Sequence, residues 1–383
     1  MKVLMVSKAC YVAAYRRKLE HLAALPGVDL TLLTPPYWDH GSHQAPLEPG
    51  NERGYHMVVE NPAFNGNFHL HFYRGLPALI RSIRPDILHI DEEPYDFVTF
   101  HALRAARALV PRTLFFTWQN IERHFQPPFN WFESRVLRSA HGAISGNQEG
   151  AQILRKKGFA RPLYVIPQFG VDPEQFQPDG KGPAPVYSPE RPFRIGFSGR
   201  LVEEKGLLIL LQAVGGLAGP WELHVLGSGP LQPRLERAAE AMGIAAKVRF
   251  LGGVASEAVP NQLRRFDVLV NPSLTWRRGK TQWKEQFGRS LVEAMACGVP
   301  VVGSDSGEIP NVIGDAGMVV PEGSVAGLHA ALERLMSDPE LRCKLAQAGR
   351  DRVIQHYTQE RVARQTYQCY QQLLDGVAPP DEP

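Results

Sequence analysis

Little cysteine is present in this chain of 383 residues: Cys10, Cys297, Cys343 and Cys369 are all there is. No two of them have the spacing of a metal-ligand pair, and a chain of this size does not call for a disulfide framework. Both points favour a reducing cytoplasm. Long apolar runs are lacking too. None approaches the ~20 residues that span a bilayer. The opening MKVLMVSKAC is too short for a signal peptide and reads as a first strand. The expectation is a soluble or peripheral cytoplasmic protein. Charge of one sign is scarce as well. The formal net charge is +3, too small to point to nucleic acid. The surplus is uneven, because residues 1–170 hold 19 Lys/Arg against 14 Asp/Glu. The run Arg16-Arg17-Lys18 would suit an anionic membrane surface, although surface charge for solubility accounts for it equally. Two motifs are missing. The Gly-rich turn in HVLGSGP runs straight into Pro230 and is no G-x-G-x-x-G fingerprint, which disfavours a dinucleotide-dependent dehydrogenase. No D-x-D triplet occurs, so nothing in the sequence asks for a metal.

What is present is a chain with 44% apolar and 21% charged residues, long enough for two domains. Short apolar runs alternate with helical patterns. In the first half, strands are expected at Lys2–Val6, Val28–Leu33, Ile87–Ile90 and Thr113–Thr117. Helices are expected between them at Tyr15–Leu25, Leu76–Ile83 and Phe97–Leu109. Residues 35–69 read as excursion loops with a strand near Met57–Glu60. The stretch 176–192, FQPDGKGPAPVYSPERP, has the Pro and Gly density of a linker. The second half repeats the alternation and ends in a helix near 359–374. Two α/β halves of doubly wound, parallel-sheet type are expected. In such sheets ligands lie beyond the carboxyl ends of the strands, so functional residues belong on the loops that follow strands.

Three such loops stand out in the second half. Ser198-Gly-Arg-Leu-Val-Glu-Glu-Lys-Gly206 places Gly199, Arg200 and Lys205 between a strand and a helix start, a setting that suits a diphosphate. A solvated surface turn accounts for the same residues. Leu226-Gly227-Ser228-Gly229 is a second Gly-rich turn. The third is EQFGRSLVEA, residues 285–294, with Glu285 before a helix that begins near Phe287-Gly288 and stops at Gly298. Glu293 lies eight residues on, about 12 Å along a helix axis. The two carboxylates cannot share a proton or a metal, but they can hold two ends of an elongated polar ligand. A capping acid and a mid-helix acid are the plain alternatives.

The run EQFGRSLVEAMACGVPVVGSDSGEIPNVI resembles the donor site of the family 4 retaining glycosyltransferases, including its E-x7-E motif. FSGRLVEEKG, HVLGSGP, RFLGGV, NPS and the terminal YTQERVARQTYQCYQQLL follow the same family in order and spacing. The resemblance covers residues 190–375. It implies a GT-B fold of two Rossmann-like domains facing across a cleft. The N-terminal, acceptor-binding domain would span 1–175 and the donor-binding domain 190–357, with a C-terminal helix at 358–375 packing back on the first. By the same resemblance Arg200 and Lys205 hold the donor diphosphate, Glu285 the hydroxyls of the transferred sugar and Glu293 the ribose. Backbone groups around Phe287, Gly288 and Arg289 meet sugar and phosphates, Gly199 and Gly227 belong to the same donor site, and Val254 frames the base. The implied activity is retaining, metal-independent transfer of a sugar from a nucleotide-diphosphate sugar to a glycan or lipid-linked acceptor. No cofactor is required beyond that co-substrate.

The first half departs from the family. Where relatives carry glycines after the first strand, this chain has Ser7-Lys8-Ala9-Cys10-Tyr11, and Lys8 would face the diphosphate or solvent. Where many relatives carry a histidine after the strand matching TLFFT, this chain has Gln119, expected at the reacting sugar. Glu92 and Glu93 follow the strand ILHI and are candidates for acceptor hydroxyls. TWRRGKTQWK, residues 275–284, lengthens the loop before Glu285, and Trp276 and Trp283 offer surfaces for the donor. An epimerase or hydrolase of the same fold, or a catalytically idle nucleotide-sugar-binding protein, remains the alternative.

Overall fold

The structure is a computed structural model and describes residues 1–50, 52–180, 186–278 and 281–377. It divides into two compact units. One holds Met1–Gly170 with the residues from Gln359 onward, and the other holds Val171–Thr358.

The strands of the first unit are β1 (Lys2–Val6), β2 (Asp29–Thr34), β3 (Tyr37–Asp39), β4 (Gln44–Pro46), β5 (His56–Val59), β6 (Ile87–Ile90), β7 (Arg112–Thr117), β8 (Gly142–Ser145) and β9 (Leu163–Val165). Its helices are α1 (Ala13–Ala23), α2 (Leu76–Ile83), α3 (Phe97–Ala106), α4 (Phe129–Ser139) and α5 (Gln148–Lys156). Seven strands form one parallel sheet in the order β5-β2-β1-β6-β7-β8-β9. The central strands KVLMV and ILHI are apolar on both faces because helices cover both. Alternation then splits their side chains. Leu4, Val6, Leu88 and Ile90 join one core layer, and Val3, Met5 and Ile87 the other.

The second unit repeats the design with β10 (Phe193–Ser198), β11 (Trp221–Leu226), β12 (Val248–Gly252), β13 (Val268–Asn271), β14 (Trp276–Arg278), β15 (Thr281–Trp283), β16 (Val301–Ser304) and β17 (Met318–Val320). Its helices are α6 (Leu207–Gly215), α7 (Gln232–Ala241), α8 (Val259–Leu263), α9 (Arg289–Ala296), α10 (Ile309–Ile313), α11 (Val325–Ser337) and α12 (Pro339–His356). The parallel order is β12-β11-β10-β13-β16-β17. The last helix, α13 (Gln359–Asp375), belongs to the first unit. There Tyr370 is fully buried and its hydroxyl lies 2.7 Å from His89 Nδ1. The Arg112 Nε–H donates to the Leu373 carbonyl at 2.6 Å. Each unit is thus a Rossmann-like α/β domain, the kind that the GT-B fold combines.

Several expectations need correction. The chain passes into the second unit at Gly170/Val171, ahead of the Pro- and Gly-rich stretch 176–192. Val171 N–H already donates to the Tyr357 carbonyl at 2.8 Å, and Phe176 is buried in the second core. Proline density marks irregular backbone, which is not the same as a change of packing partner. Residues 181–185 of that stretch lie outside the described residues. The loops expected at 35–69 contain the β3–β4 hairpin. The Arg16-Arg17-Lys18 run does not present three cations to a membrane. Arg16 is 2% exposed and donates to the carbonyls of Cys10 (2.8 Å) and Glu48 (2.5 Å). Lys18 is 4% exposed, with its ammonium 5.9 Å from the Phe169 ring centroid. Arg17 pairs with Glu20 at 3.1 Å. Among the described residues no helix is long and apolar enough to cross a membrane.

Candidate functional site

In the second unit the loops after β10 and β13 converge on the carboxylate of Glu285, and the loop after β16 meets its backbone carbonyl. Glu285 is 7% exposed, and its Oε2 lies 2.5 Å from Lys205 Nζ and 2.7 Å from the Ser273 hydroxyl. That hydroxyl is also 2.7 Å from Asn271 Oδ1, so its single proton serves either oxygen. The Lys205 ammonium sits 4.8 Å from the Trp283 ring centroid, within cation–π range. Trp283 stands opposite Trp276 in the β14–β15 hairpin. The base of that hairpin is tied by the Thr275 hydroxyl, which donates to Glu322 Oε2 at 2.7 Å. Gly279 and Lys280 of the same segment lie outside the described residues.

Backbone geometry explains why these loops can approach. Gly206 precedes α6 with φ 68°, and a Cβ there would overlap the Pro272 carbonyl oxygen. Gly307 has φ 59°, and a Cβ there would overlap the carbonyl oxygen of Glu285 itself. Only glycine adopts such angles without cost and leaves that room. The glycines read as ligand contacts have a nearer partner. A Cβ on Gly227 would overlap the carbonyl of Gly199, and Gly199 N–H donates to the Leu226 carbonyl at 3.0 Å. The two Gly-rich turns therefore approach one another, which sequence spacing does not distinguish from approach to a ligand.

Around the α9 helix the acids separate. Gly288 caps α9 with φ 81° and no side-chain cap. Glu293 is 8% exposed and accepts from Arg289 Nε at 2.8 Å. Burial raises the carboxyl pKa of Glu293 above the usual range, and the Arg289 charge and hydrogen bond oppose that. Arg289, expected only as a backbone contact, thus contributes its side chain to Glu293. Phe287 packs its ring 5.7 Å from that of Tyr357. Arg200 is expected at the diphosphate, but its side chain is 71% exposed and lies 3.9 Å from Glu204. Val254 is 37% exposed. The structure therefore brings Lys205 to Glu285 and Arg289 to Glu293 as two ion pairs, and leaves Arg200 extended toward solvent. Ser273 and the Trp283–Lys205 contact are additions. Ser273 lies in the NPS run two residues past a strand, the one signal that sequence offered for it.

In the first unit the candidates are largely committed to one another. Lys8 Nζ forms an ion pair with Glu92, and the Lys8 backbone N–H donates to Glu92 Oε1 at 2.7 Å. Burial alone would push the Glu92 carboxyl up, but Lys8 and His71 outweigh it and hold the pKa down to about 2. Its neighbour moves the other way. Glu93 accepts from the Thr117 hydroxyl (2.6 Å) and the Trp118 amide (2.8 Å), yet burial pushes it up to about 7. Gln119 is 7% exposed. Its Nε2 donates to the Ile121 carbonyl and its Oε1 accepts from Lys157, both at 3.2 Å, and Lys157 pairs with Glu133 at 2.6 Å. Glu92 and Lys8 thus neutralise each other, and Gln119 braces its own loop.

The Glu92 pair carries a pH signature. A depressed folded pKa stabilises above the unfolded carboxylate value, and that stability fades as pH falls from about 4.5 toward 2. Glu92→Gln leaves Lys8 buried without its counter-charge and costs about 3–5 kcal/mol at pH 7. Urea titrations at pH 7, 4 and 2.5 check this, because the gap between wild type and variant should narrow with acid. A gap that stays constant with pH contradicts the pairing.

Two family models match the chain. "Glycosyl transferases group 1" matches residues 183–352 and "Glycosyltransferase Family 4" residues 16–175. A 2-deoxystreptamine glucosyltransferase of Streptomyces kanamyceticus is 26% identical over 73% of this chain and 71% of its own. A GDP-mannose-dependent alpha-(1-6)-phosphatidylinositol monomannoside mannosyltransferase of Mycolicibacterium smegmatis is 34% identical over 47% of this chain. That match spans 49% of the mannosyltransferase, about half its length. Among solved structures, the sucrose-phosphate synthase of Thermosynechococcus elongatus superposes with a TM-score of 0.72 at 20% identity, covering 98% of this chain and 100% of that one. At that identity the likeness is one of fold.

Proposed function

This chain belongs to the family 4, group 1 glycosyltransferases, and from that premise we propose that it moves a sugar from a nucleotide-diphosphate sugar to a hydroxyl of a glycan, polyol or lipid-linked acceptor, with retention and without a metal. The observation that carries the reading is the Lys205–Glu285–Ser273 cluster at the carboxyl ends of the second sheet. A buried acid is a fitting acceptor for sugar hydroxyls, and an ammonium beside it a fitting partner for a leaving diphosphate. In this reading the diphosphate draws Lys205 away from Glu285, which frees the carboxylate for the sugar. Arg200, extended into solvent, closes onto the phosphates. The reaction is a substitution at the anomeric carbon. The bond from that carbon to the diphosphate oxygen breaks, the bond to the acceptor oxygen forms on the same face, and the leaving phosphate takes the acceptor's proton. The names of the relatives support the substrate class, one being GDP-mannose-dependent and one acting on 2-deoxystreptamine.

Thermal-shift measurements with UDP-, GDP- and ADP-sugars test this. One nucleotide class should raise the melting temperature, since a ligand held only by the folded state stabilises it. Sugar release from that donor should then be unaffected by EDTA. Equal shifts with all three classes in both wild type and Lys205→Ala would refute the donor site. Loss of release with EDTA, restored by a divalent ion, would refute metal independence.

A further inference from the structure

We propose that His69, backed by Asp96, is an acceptor-binding residue, and that the loops beyond β6 and β7 in the first unit form a subsite for a polyol hydroxyl. The inference rests on the transferase reading above and adds the place where the acceptor is recognised. His69 Nδ1 lies 2.7 Å from Asp96 Oδ1, the carboxylate being 3% exposed and the imidazole 49% exposed. Asp96 immediately precedes α3. The backbone N–H of the next residue, Phe97, donates to the His69 carbonyl at 2.9 Å, which fastens the two segments together. A buried carboxylate accepting from Nδ1–H selects one tautomer and one ring orientation. The nitrogen left for a ligand is Nε2, which accepts from a hydroxyl when the ring is neutral and donates to one when it is protonated, the state that Asp96 favours.

The surroundings have the character of a polyol site. Tyr95 lies 5.6 Å from the imidazole centroid and Phe129 5.3 Å. Tyr95 is itself stacked on Phe125 at 4.1 Å. Aromatic faces with a few fixed polar groups are the usual lining of a small-molecule site. The location also fits, because Asp91, Glu92 and Glu93 follow β6 and the residues that Glu93 holds, Thr117 and Trp118, end β7. Open parallel sheets bind ligands at that edge. Glu92 is neutralised by Lys8 and Glu93 is occupied by Thr117 and Trp118. The half-exposed imidazole is thus the better placed of these groups to meet a substrate.

The test uses the full chain with the donor identified as above and three acceptor probes: 2-deoxystreptamine, myo-inositol and methyl α-D-mannopyranoside. Transfer to at least one is expected. For that acceptor His69→Ala should raise KM at least tenfold while donor KM moves less than twofold. Asp96→Asn, which keeps an oxygen near Nδ1, should raise it about threefold. His69→Gln, which retains a hydrogen-bonding group, should recover part of the loss and guards against a folding defect in the alanine variant. An acceptor KM within twofold of wild type in His69→Ala overturns the proposal. Transfer to none of the three probes, with donor hydrolysis intact, overturns the assigned ligand class while the donor reading stands. Absence of donor binding in the wild type removes the parent reading and this one with it.

Discussion

Glu285→Gln should lower turnover of the proposed donor by about 10²–10³-fold, the loss typical when one charge-stabilising group is taken from a preorganised site. Glutamine keeps one accepting oxygen for Ser273 but removes the charge that holds Lys205 at 2.5 Å. Steady-state rates of sugar release, with kcat and KM separated, give the answer. Stability alone cannot, because either half of this pair also matters to the fold. The Lys205 and Glu285 side chains are 17% and 9% exposed, so Lys205→Ala strands a carboxylate and costs about 3–5 kcal/mol. Replacing both by apolar residues, as in Lys205→Met with Glu285→Leu, should recover most of that stability and none of the activity. A double variant that is stable and still turns over donor would show the pair to be structural. So would Glu285→Gln with wild-type kcat.

Gly307→Ala is expected to damage both the fold and the site of the second unit. At φ 59° an alanine meets the left-handed penalty of about 1–2 kcal/mol, and its Cβ overlaps the Glu285 carbonyl oxygen. Relief requires a shift of the residue that carries the key carboxylate. The total should be about 3 kcal/mol or more, with turnover down roughly 10²-fold, the scale expected for a 1 Å misplacement in a site. Gly27→Ala is the matched control, since it has φ 73° and nothing within 4 Å of its Cβ. It should cost only the backbone penalty and leave the rate alone. Urea unfolding and initial rates on both variants decide it. Equal effects of the two substitutions would mean that the close approach at Glu285 is unimportant.

Much of this was legible beforehand, and the parts that were not have physical reasons. Strands such as ILHI and helices such as Leu76–Ile83 announce themselves because their pattern is local. The loops that carry Lys205 and Glu285, and the helix that carries Glu293, were legible for the same reason: each follows a strand or forms a helix at fixed spacing. What the spacing hid was who meets whom. Lys205 and Glu285 are 80 positions apart, and nothing in either neighbourhood encodes their contact. Gly227 makes room for the backbone carbonyl of Gly199, a contact that the spacing of either turn does not encode. Glu92, Lys8 and Arg16 looked available because charge suggests solvent, whereas each finds a buried partner. His69 was overlooked in a loop-like stretch because its significance depends on Asp96, 27 residues on.

The crossing of α13 into the first unit has a consequence for the order of assembly on the ribosome. Residues 171–358 form an uninterrupted stretch and hold all of their own core. The earlier-made unit lacks Tyr370 and Leu373, which fill the layer beneath Val3, Met5 and Ile87. The segment translated first must therefore wait, with one apolar flank uncovered, until the last helix emerges, and in that interval a chaperone has the most to shield.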